Sequence, residues 1–312
     1  MRILVQGAGA LGCLLGFHLA AAGHEVTLGF RREPERWPRR EGSPILSLVS
    51  KTPDAARSVP IRLAWPGREI AAADLLLLTT KAQDAEEAAG GAEGSLVRGG
   101  AALLLSNGLG LEPAVSAHFS SSLFLRGIAY CGALLDSPGV VRCTGEGKIV
   151  VGLWEDRDAG DARLGSVVNT FCEAGIPAEA AADLHRALWE KAMANLAINP
   201  LGALARVRNG AVGADPRLLG IAREVLREAC AIAALEGIQI DPEEAQEFFQ
   251  TTAAATAENE NSMLRDVLTG KWTEIDYLNG YIARRGKERG VAVPVNSALA
   301  AWVKAYHPAD ES

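Results

Sequence analysis

Ile3-Leu4-Val5-Gln6-Gly7-Ala8-Gly9-Ala10-Leu11-Gly12-Cys13 is a short apolar run, a glycine-spaced loop and the start of an alanine- and leucine-rich stretch. The run reads as a first β-strand and the stretch behind the loop as a first helix. The loop itself has the G-x-G-x-x-G spacing of a dinucleotide-binding turn, in the position that such a turn requires. Gly7 permits the tight turn, Gly9 lets backbone amides approach a pyrophosphate, and Gly12 lets the helix press on the sheet. Unpaired N–H groups of the first helical turn, with Ala8, Ala10 and Leu11 completing the loop, would then face the phosphates. A glycine-rich turn without a ligand would share the spacing. Strand before and helix after favour a site for a nucleotide cofactor.

The next segment bears on which cofactor. The helix runs to about Ala22, Gly23 reads as its stop, and His24 to Phe30 reads as a second strand. An NAD site usually carries an acid at the end of that strand to bind the ribose 2′-hydroxyl. Here the strand ends in Arg31-Arg32, and the first acid after it is Glu33. A guanidinium suits a 2′-phosphate, so NADP(H) is the expected cofactor, with Arg31 as its anchor.

Composition narrows the class. The 312-residue chain carries 48% hydrophobic and 22% charged residues, as in globular proteins of two domains. Its net charge of −7 gives no basic field, so neither nucleic acid nor an anionic membrane is an expected partner. Five cysteines (Cys13, Cys131, Cys143, Cys172, Cys230) lack metal-ligand spacing and read as reduced, mostly buried thiols of a cytoplasmic protein. The sequence shows no apolar run of about 18 residues and no secretory layout; with a first strand expected from Arg2, no cleaved leader is expected.

Apolar runs then alternate with helical patterns. Strands are expected at Leu46 to Ser50, Ile61 to Ala64, Asp74 to Thr80 and Ala101 to Leu105, with a helix from Lys81 through Ala89. Leu123 to Ala129, Val140 to Cys143 and Lys148 to Val151 read as strands closing the same sheet. From about Asp183 the pattern is nearly all helical, with breaks at Asn199-Pro200, Asn209-Gly210, Gly237, Gly270 and Gly290. The expected fold is therefore α/β: a Rossmann-type doubly wound sheet over residues 1–180 and an all-helical domain over 181–312.

Cofactors of such sheets sit at the carboxyl ends of the strands, which directs attention to Thr80-Lys81 and Ser106-Asn107-Gly108. Lys81 could reach phosphate or ribose oxygens, and Asn107 the ribose or the substrate; an ordinary Asn-Gly turn would also account for the second pair. In the helical half, Lys191, Asn195 and Asn199 fall at i, i+4 and i+8 and form one polar stripe on an otherwise apolar helix. Pro200 implies an end or kink directly after Asn199. A stripe in so apolar a setting needs partners. Asn259 and Ser262 are spaced to share a helix face and offer neutral donors for a carboxylate or hydroxyl. Thr273 reads as the N-cap of another helix, with Glu274 in its first turn, where a dipole role alone would suffice.

Together these segments closely resemble the ketopantoate reductase (2-dehydropantoate 2-reductase) family of the 6-phosphogluconate dehydrogenase-like superfamily. The resemblance is carried by GAGALG at 7–12, GHEVTLGFR at 23–31, TTKAQD at 79–84 and SNGLG at 106–110. It continues through LWEKAMANLAINPL at 188–201, ENENSML at 258–264, TEIDYLNG at 273–280 and VAVPVN at 291–296, and runs to about Lys304. It implies a Rossmann domain, a helical domain and a cleft that closes on both ligands. It also implies Lys191 as the general acid, Glu274 as the residue holding that lysine or the product hydroxyl, and Asn195, Asn199, Asn259 and Ser262 as substrate contacts, with Ser262 on the carboxylate. Gly7, Gly9 and Gly12 would serve the pyrophosphate, Arg31 the 2′-phosphate, and Lys81 and Asn107 the cofactor side of the cleft. Two places depart from the family pattern: Asn261 stands where a second serine is frequent, and Ala129-Tyr130-Cys131 replaces polar residues expected near the substrate. The implied activity is NADPH-dependent reduction of 2-dehydropantoate. Reduction of a different 2-oxo acid, or NADP(H) binding without turnover, would use the same scaffold. A homodimer through the apolar helical half is compatible with the pattern.

Overall fold

The computed structural model describes residues 1–49, 57–68, 70–155 and 160–307. It divides into two compact units, the first comprising residues 1–107 and 111–184, the second 108–110 and 185–312.

The described residues of the first unit form thirteen strands: β1 (Arg2–Gln6), β2 (Glu25–Gly29), β3 (Arg39–Arg40), β4 (Ser43–Val49), β5 (Arg57–Pro60), β6 (Arg62–Ala64), β7 (Ala73–Leu78), β8 (Leu96–Leu104), β9 (Leu123–Ala129), β10 (Gly132–Ser137), β11 (Val140–Gly145), β12 (Ile149–Leu153) and β13 (Ala178–Ala180). Eight form a sheet in the order β13-β12-β9-β8-β7-β1-β2-β6. The six from β9 to β6 are parallel, whereas β12 runs antiparallel to β9. Strand order reverses at β1, which has β2 on one side and β7 on the other, and such a switch point is where an open α/β sheet leaves a crevice for a ligand. The continuous apolar runs of β7 and β9 fit strands covered on both faces.

Four helices accompany the sheet: α1 (Ala10–Ala21), α2 (Ala85–Ala92), α3 (Glu112–Ser116) and α4 (Ala162–Glu173). A second, smaller sheet follows the order β10-β11-β4-β3, with β5 also on β4. The expectation that Val140 to Cys143 would close the main sheet is thus corrected: these residues lie in β11, paired with β10 and with β4. Helix α1 packs against both sheets. That explains why Cys13, Leu14, Leu15, Phe17 and Leu19 are all buried, for a helix apolar all round must be covered all round. The expected strand Leu46 to Ser50 begins earlier, at Ser43, and Ser50 lies outside the described residues.

The second unit is built from α5 (Leu184–Ala205, whose first residue belongs to the first unit), α6 (Asn209–Ala214), α7 (Pro216–Leu235), α8 (Pro242–Ala255), α9 (Ser262–Leu268), α10 (Asn279–Arg289) and α11 (Pro294–Lys304). Gly237, Gly270 and Gly290 follow helix ends as expected. The break expected at Asn199-Pro200 is absent, and α5 continues to Ala205. A proline at 200 cannot supply the N–H that the Leu196 carbonyl would normally receive. The side chain of Asn279 supplies it instead, its Nδ2 donating to Leu196 O at 3.0 Å. One tertiary hydrogen bond replaces the missing helical one, so the sequence rule fails here because of a residue distant in the chain.

Asn279 is fully buried and also donates to Asn296 Oδ1 at 2.9 Å. Asn296 in turn donates through Nδ2 to Glu228 at 2.8 Å, and the Glu228 carboxylate accepts the backbone N–H groups of Val295 and Asn296, both at 2.9 Å. A buried carboxylate is tolerable there because it meets the unpaired donors of the first turn of α11.

Candidate functional site

On the first unit the glycine loop closes tightly against its own sheet. A Cβ on Gly7, whose φ is +110°, would lie 2.6 Å from Thr80 N, and one on Gly12 would lie 2.1 Å from Gly7 O. Thr79 Oγ1 donates to Gly7 O at 2.8 Å and to Gln6 O at 3.3 Å, tying the loop to the end of β7. Gly9 is different: it is exposed, and a Cβ there would meet nothing within 4 Å. It is also the N-cap of α1, with no side chain capping the helix. Open space in front of unclaimed helical N–H groups is the cradle that a pyrophosphate fits. At or shortly after the carboxyl ends of β1 and β7, Gln6 Oε1, Thr80 Oγ1 and Gln83 Oε1 are buried polar atoms without a hydrogen-bond partner. The residues present therefore suit a dinucleotide. Burial pushes the Cys13 thiol up to about 12, and its Sγ donates to Ala8 O at 3.4 Å.

The two strand ends singled out in the sequence come together. Ser106 Oγ donates to Thr80 O at 2.7 Å, which sets Lys81 and Asn107, both half-buried, at adjacent strand ends. Lys81 precedes a 3₁₀ turn (Ala82–Asp84) that leads into α2, rather than the continuous helix expected. Behind Ser106 stands an ion pair that sequence reading missed. Arg126 in β9 and Glu112 in α3 are each 2% exposed, with Arg126 Nε donating to Glu112 Oε1 at 2.8 Å. The same guanidinium donates to Leu104 O (2.9 Å), Ser106 O (2.8 Å) and Gly127 O (2.7 Å). It thereby fixes the end of β8 immediately before Asn107. The available signal was a lone arginine inside the apolar run Leu123 to Ala129.

Arg31 is exposed and lies just past β2, as expected. It is paired with Asp84, and Glu87 lies 3.8 Å from its Nη2. The nearest acid in sequence, Glu33, is thus not the acid that meets it.

On the second unit, Lys191 and Asn195 are half-buried and Asn199 is buried, along one side of α5. Their neighbours Ala192, Met193, Leu196, Ala197 and Ile198 belong to the core of this unit. The segment Glu274 to Asn279 is bound to the same helix by the Asn279–Leu196 hydrogen bond, so the half-buried Glu274 lies on an element fastened to the backbone of α5. Thr273 does not cap a helix. Its backbone N–H donates to His307 Nε2 at 3.5 Å, its hydroxyl pairs with the same atom at 2.7 Å, and a 3₁₀ turn (Ile275–Tyr277) follows Glu274. The Tyr277 carbonyl accepts Leu109 N–H at 2.8 Å.

Asn259 and Ser262 do not share a helix face. Asn259 lies in the turn before α9 and Ser262 is the first residue of that helix; both are exposed. The reason is Asn261, which N-caps α9 by accepting Leu264 N–H at 2.9 Å and so starts the helix one residue later. Its Nδ2 donates to Ile198 O at 3.3 Å, packed over Gly202, where a Cβ would come to 2.4 Å. Asn261 thus docks the Asn259–Ser262 segment on α5 beside Asn199, a role hidden when it is read only as a replaced serine. The cysteines are all free, but only Cys13 and Cys230 are fully buried, fewer than expected. Among the described residues no His, Cys, Asp and Glu cluster could hold a metal, and no helix is long and apolar enough to cross a membrane.

The family model described as ketopantoate reductase PanE/ApbA matches residues 3–156, and the model of its C-terminal part matches residues 183–307. A 2-dehydropantoate 2-reductase of Pyrococcus horikoshii is 36% identical over 305 residues, covering 98% of this chain and 97% of that protein. The chain belongs to the ketopantoate reductase family. Among solved structures, a PanE/ApbA family ketopantoate reductase from Ralstonia eutropha superposes with a TM-score of 0.86 at 28% identity, covering 98% of both chains. A D-mandelate dehydrogenase solved with NADH and anilino(oxo)acetate shares the fold, with a TM-score of 0.87 at 24% identity and 98% coverage of each chain. The ketopantoate reductase family models meet the chain on both units, including the glycine loop on the first and α5 on the second.

Proposed function

We propose that this chain reduces 2-dehydropantoate to pantoate with NADPH, on the route to pantothenate and coenzyme A. The observation that carries the reading is the polar stripe Lys191-Asn195-Asn199 on a helix otherwise sunk in apolar packing, in a chain of the ketopantoate reductase family. The stripe gathers an ammonium and two amides on one side of α5, a donor set that suits a carbonyl- and carboxylate-bearing ligand. Gly7 to Gly12, Lys81 and Asn107 would hold the dinucleotide and Arg31 its 2′-phosphate; the chemistry the bound cofactor supplies is a hydride. Reducing a ketone places negative charge on its oxygen, and the Lys191 ammonium would stabilise that charge and then donate a proton to the oxygen. Glu274 would hold Lys191 or the product hydroxyl. Asn195 and Asn199 would orient the substrate, with Asn259 on its hydroxyl and Ser262 on its carboxylate. A cytoplasmic location and pairing as a homodimer through the helical unit belong to the same reading.

A substrate panel tests it. Purified protein with NADPH is offered 2-dehydropantoate, 2-oxoisovalerate, pyruvate and oxaloacetate, and loss of NADPH absorbance is followed. We expect 2-dehydropantoate to give the highest kcat/KM, because of the four only it offers a hydroxyl to Asn259 together with a carboxylate to Ser262. A tenfold advantage for another oxo acid would replace this substrate, and NADPH binding without any turnover would leave a binding protein.

Arg31 gives a second expectation. Titration by fluorescence should show NADPH bound at least about tenfold more tightly than NADH, and Arg31→Ala should remove most of that difference while barely changing NADH. Equal wild-type affinities would show that Arg31 does not read the 2′-phosphate.

A further inference from the structure

Strand order places β2 and β7 on opposite sides of β1. Arg31 follows the end of β2 and Asp84 follows the end of β7, so their ion pair reaches across the carboxyl end of β1, from which the glycine loop leaves. Asp84 ends the 3₁₀ turn that runs into α2, and its side chain makes no capping hydrogen bond. Its carboxylate is turned to a guanidinium whose side chain is 62% exposed, while its own is 35% exposed.

Resting on the reading that this unit binds NADP(H) through Arg31, we propose that Asp84 is a specificity-determining residue that restrains the preference for NADPH by occupying Arg31. A 2′-phosphate must share or displace that carboxylate before it gains the full strength of the guanidinium. A ribose 2′-hydroxyl meets no such penalty, so the carboxylate narrows the gap between the two dinucleotides without opposing NADH. Glu87 is a weaker second carboxylate: it lies farther from Arg31 and is 70% exposed, where water and salt screen its charge.

The test is a set of fluorescence titrations with NADPH and NADH on the full chain and its variants, with no turnover required. Asp84→Asn keeps the size of the side chain and removes its charge. We expect it to tighten NADPH about five- to tenfold and to change NADH less than about twofold, a gain typical of one charge contact at a partly exposed site. The gain should shrink as salt is raised. It should vanish in the Arg31→Ala background, and Glu87→Gln should give less than about a twofold effect. If the wild type binds NADPH and Asp84→Asn leaves its affinity relative to NADH unchanged or lower, the proposal is overturned. Persistence of the gain without Arg31 also overturns it, since the charge would then act on the phosphate directly and not through the pair. A wild type that binds neither dinucleotide removes the cofactor reading together with this inference, an outcome distinct from the other two. Thermal unfolding of each apo variant shows whether α2 is intact.

Discussion

Replacing Lys191 by alanine should lower kcat by about two to four orders of magnitude, the usual reach of a general acid. The alkoxide oxygen that forms as the ketone is reduced needs a proton and, before that, a positive charge beside it. Among the residues of the polar stripe on α5, only Lys191 can supply both, since Asn195 and Asn199 are neutral donors. NADPH affinity should change little, because the glycine loop and Arg31 lie in the other unit. Removing an interaction made only as charge develops lowers kcat and kcat/KM together and leaves binding intact. Stopped-flow turnover beside a fluorescence titration of NADPH separates these quantities. Near-normal turnover in the variant would show that water or another side chain protonates the product.

The largest loss of stability is expected at Arg126. Arg126→Met keeps much of the length and the apolar stem but leaves the Glu112 carboxylate buried without its cation. It also withdraws a donor from the carbonyls of Leu104, Ser106 and Gly127. Breaking one half of a buried pair costs about 3–5 kcal/mol, mostly because the remaining charge is stranded. Urea unfolding of the variant should show a loss of that size. Adding Glu112→Leu should recover a substantial part of it, since the stranded charge is then gone. Unchanged stability in Arg126→Met would mean that the carboxylate is satisfied from elsewhere.

The parts of this architecture legible in the sequence are those fixed by local chemistry. The strand–loop–helix at the N-terminus, the buried run of β7 and the glycine stops after α7, α9 and α10 each depend on a few neighbouring residues, and each stands where periodicity placed it. What escaped depends on residues far apart in the chain. Nothing near Arg31 announces that its partner is 53 positions away. Assigning Val140 to Cys143 to the small sheet requires β4 as a partner, nearly 100 residues earlier. Asn259 and Ser262 have helical spacing, but Asn261 between them is a better helix cap than a helix interior residue, and that local competition decided the start of α9.

Pro200 carries a consequence for the order in which the chain acquires its structure. A helix with an unbroken backbone ladder can form as soon as its own residues are free to coil. The second half of α5 instead draws one of its bonds from Asn279, which is 83 positions from Leu196. Until α10 has folded and docked, the Leu196 carbonyl has only water to meet it, and the helix has good reason to stop at Asn199, as the isolated sequence suggests. Closing so long a loop is slow and entropically costly. The last turn and a half of α5, from Pro200 to Ala205, is therefore completed late in folding, once α10 has docked on the helix that carries the stripe.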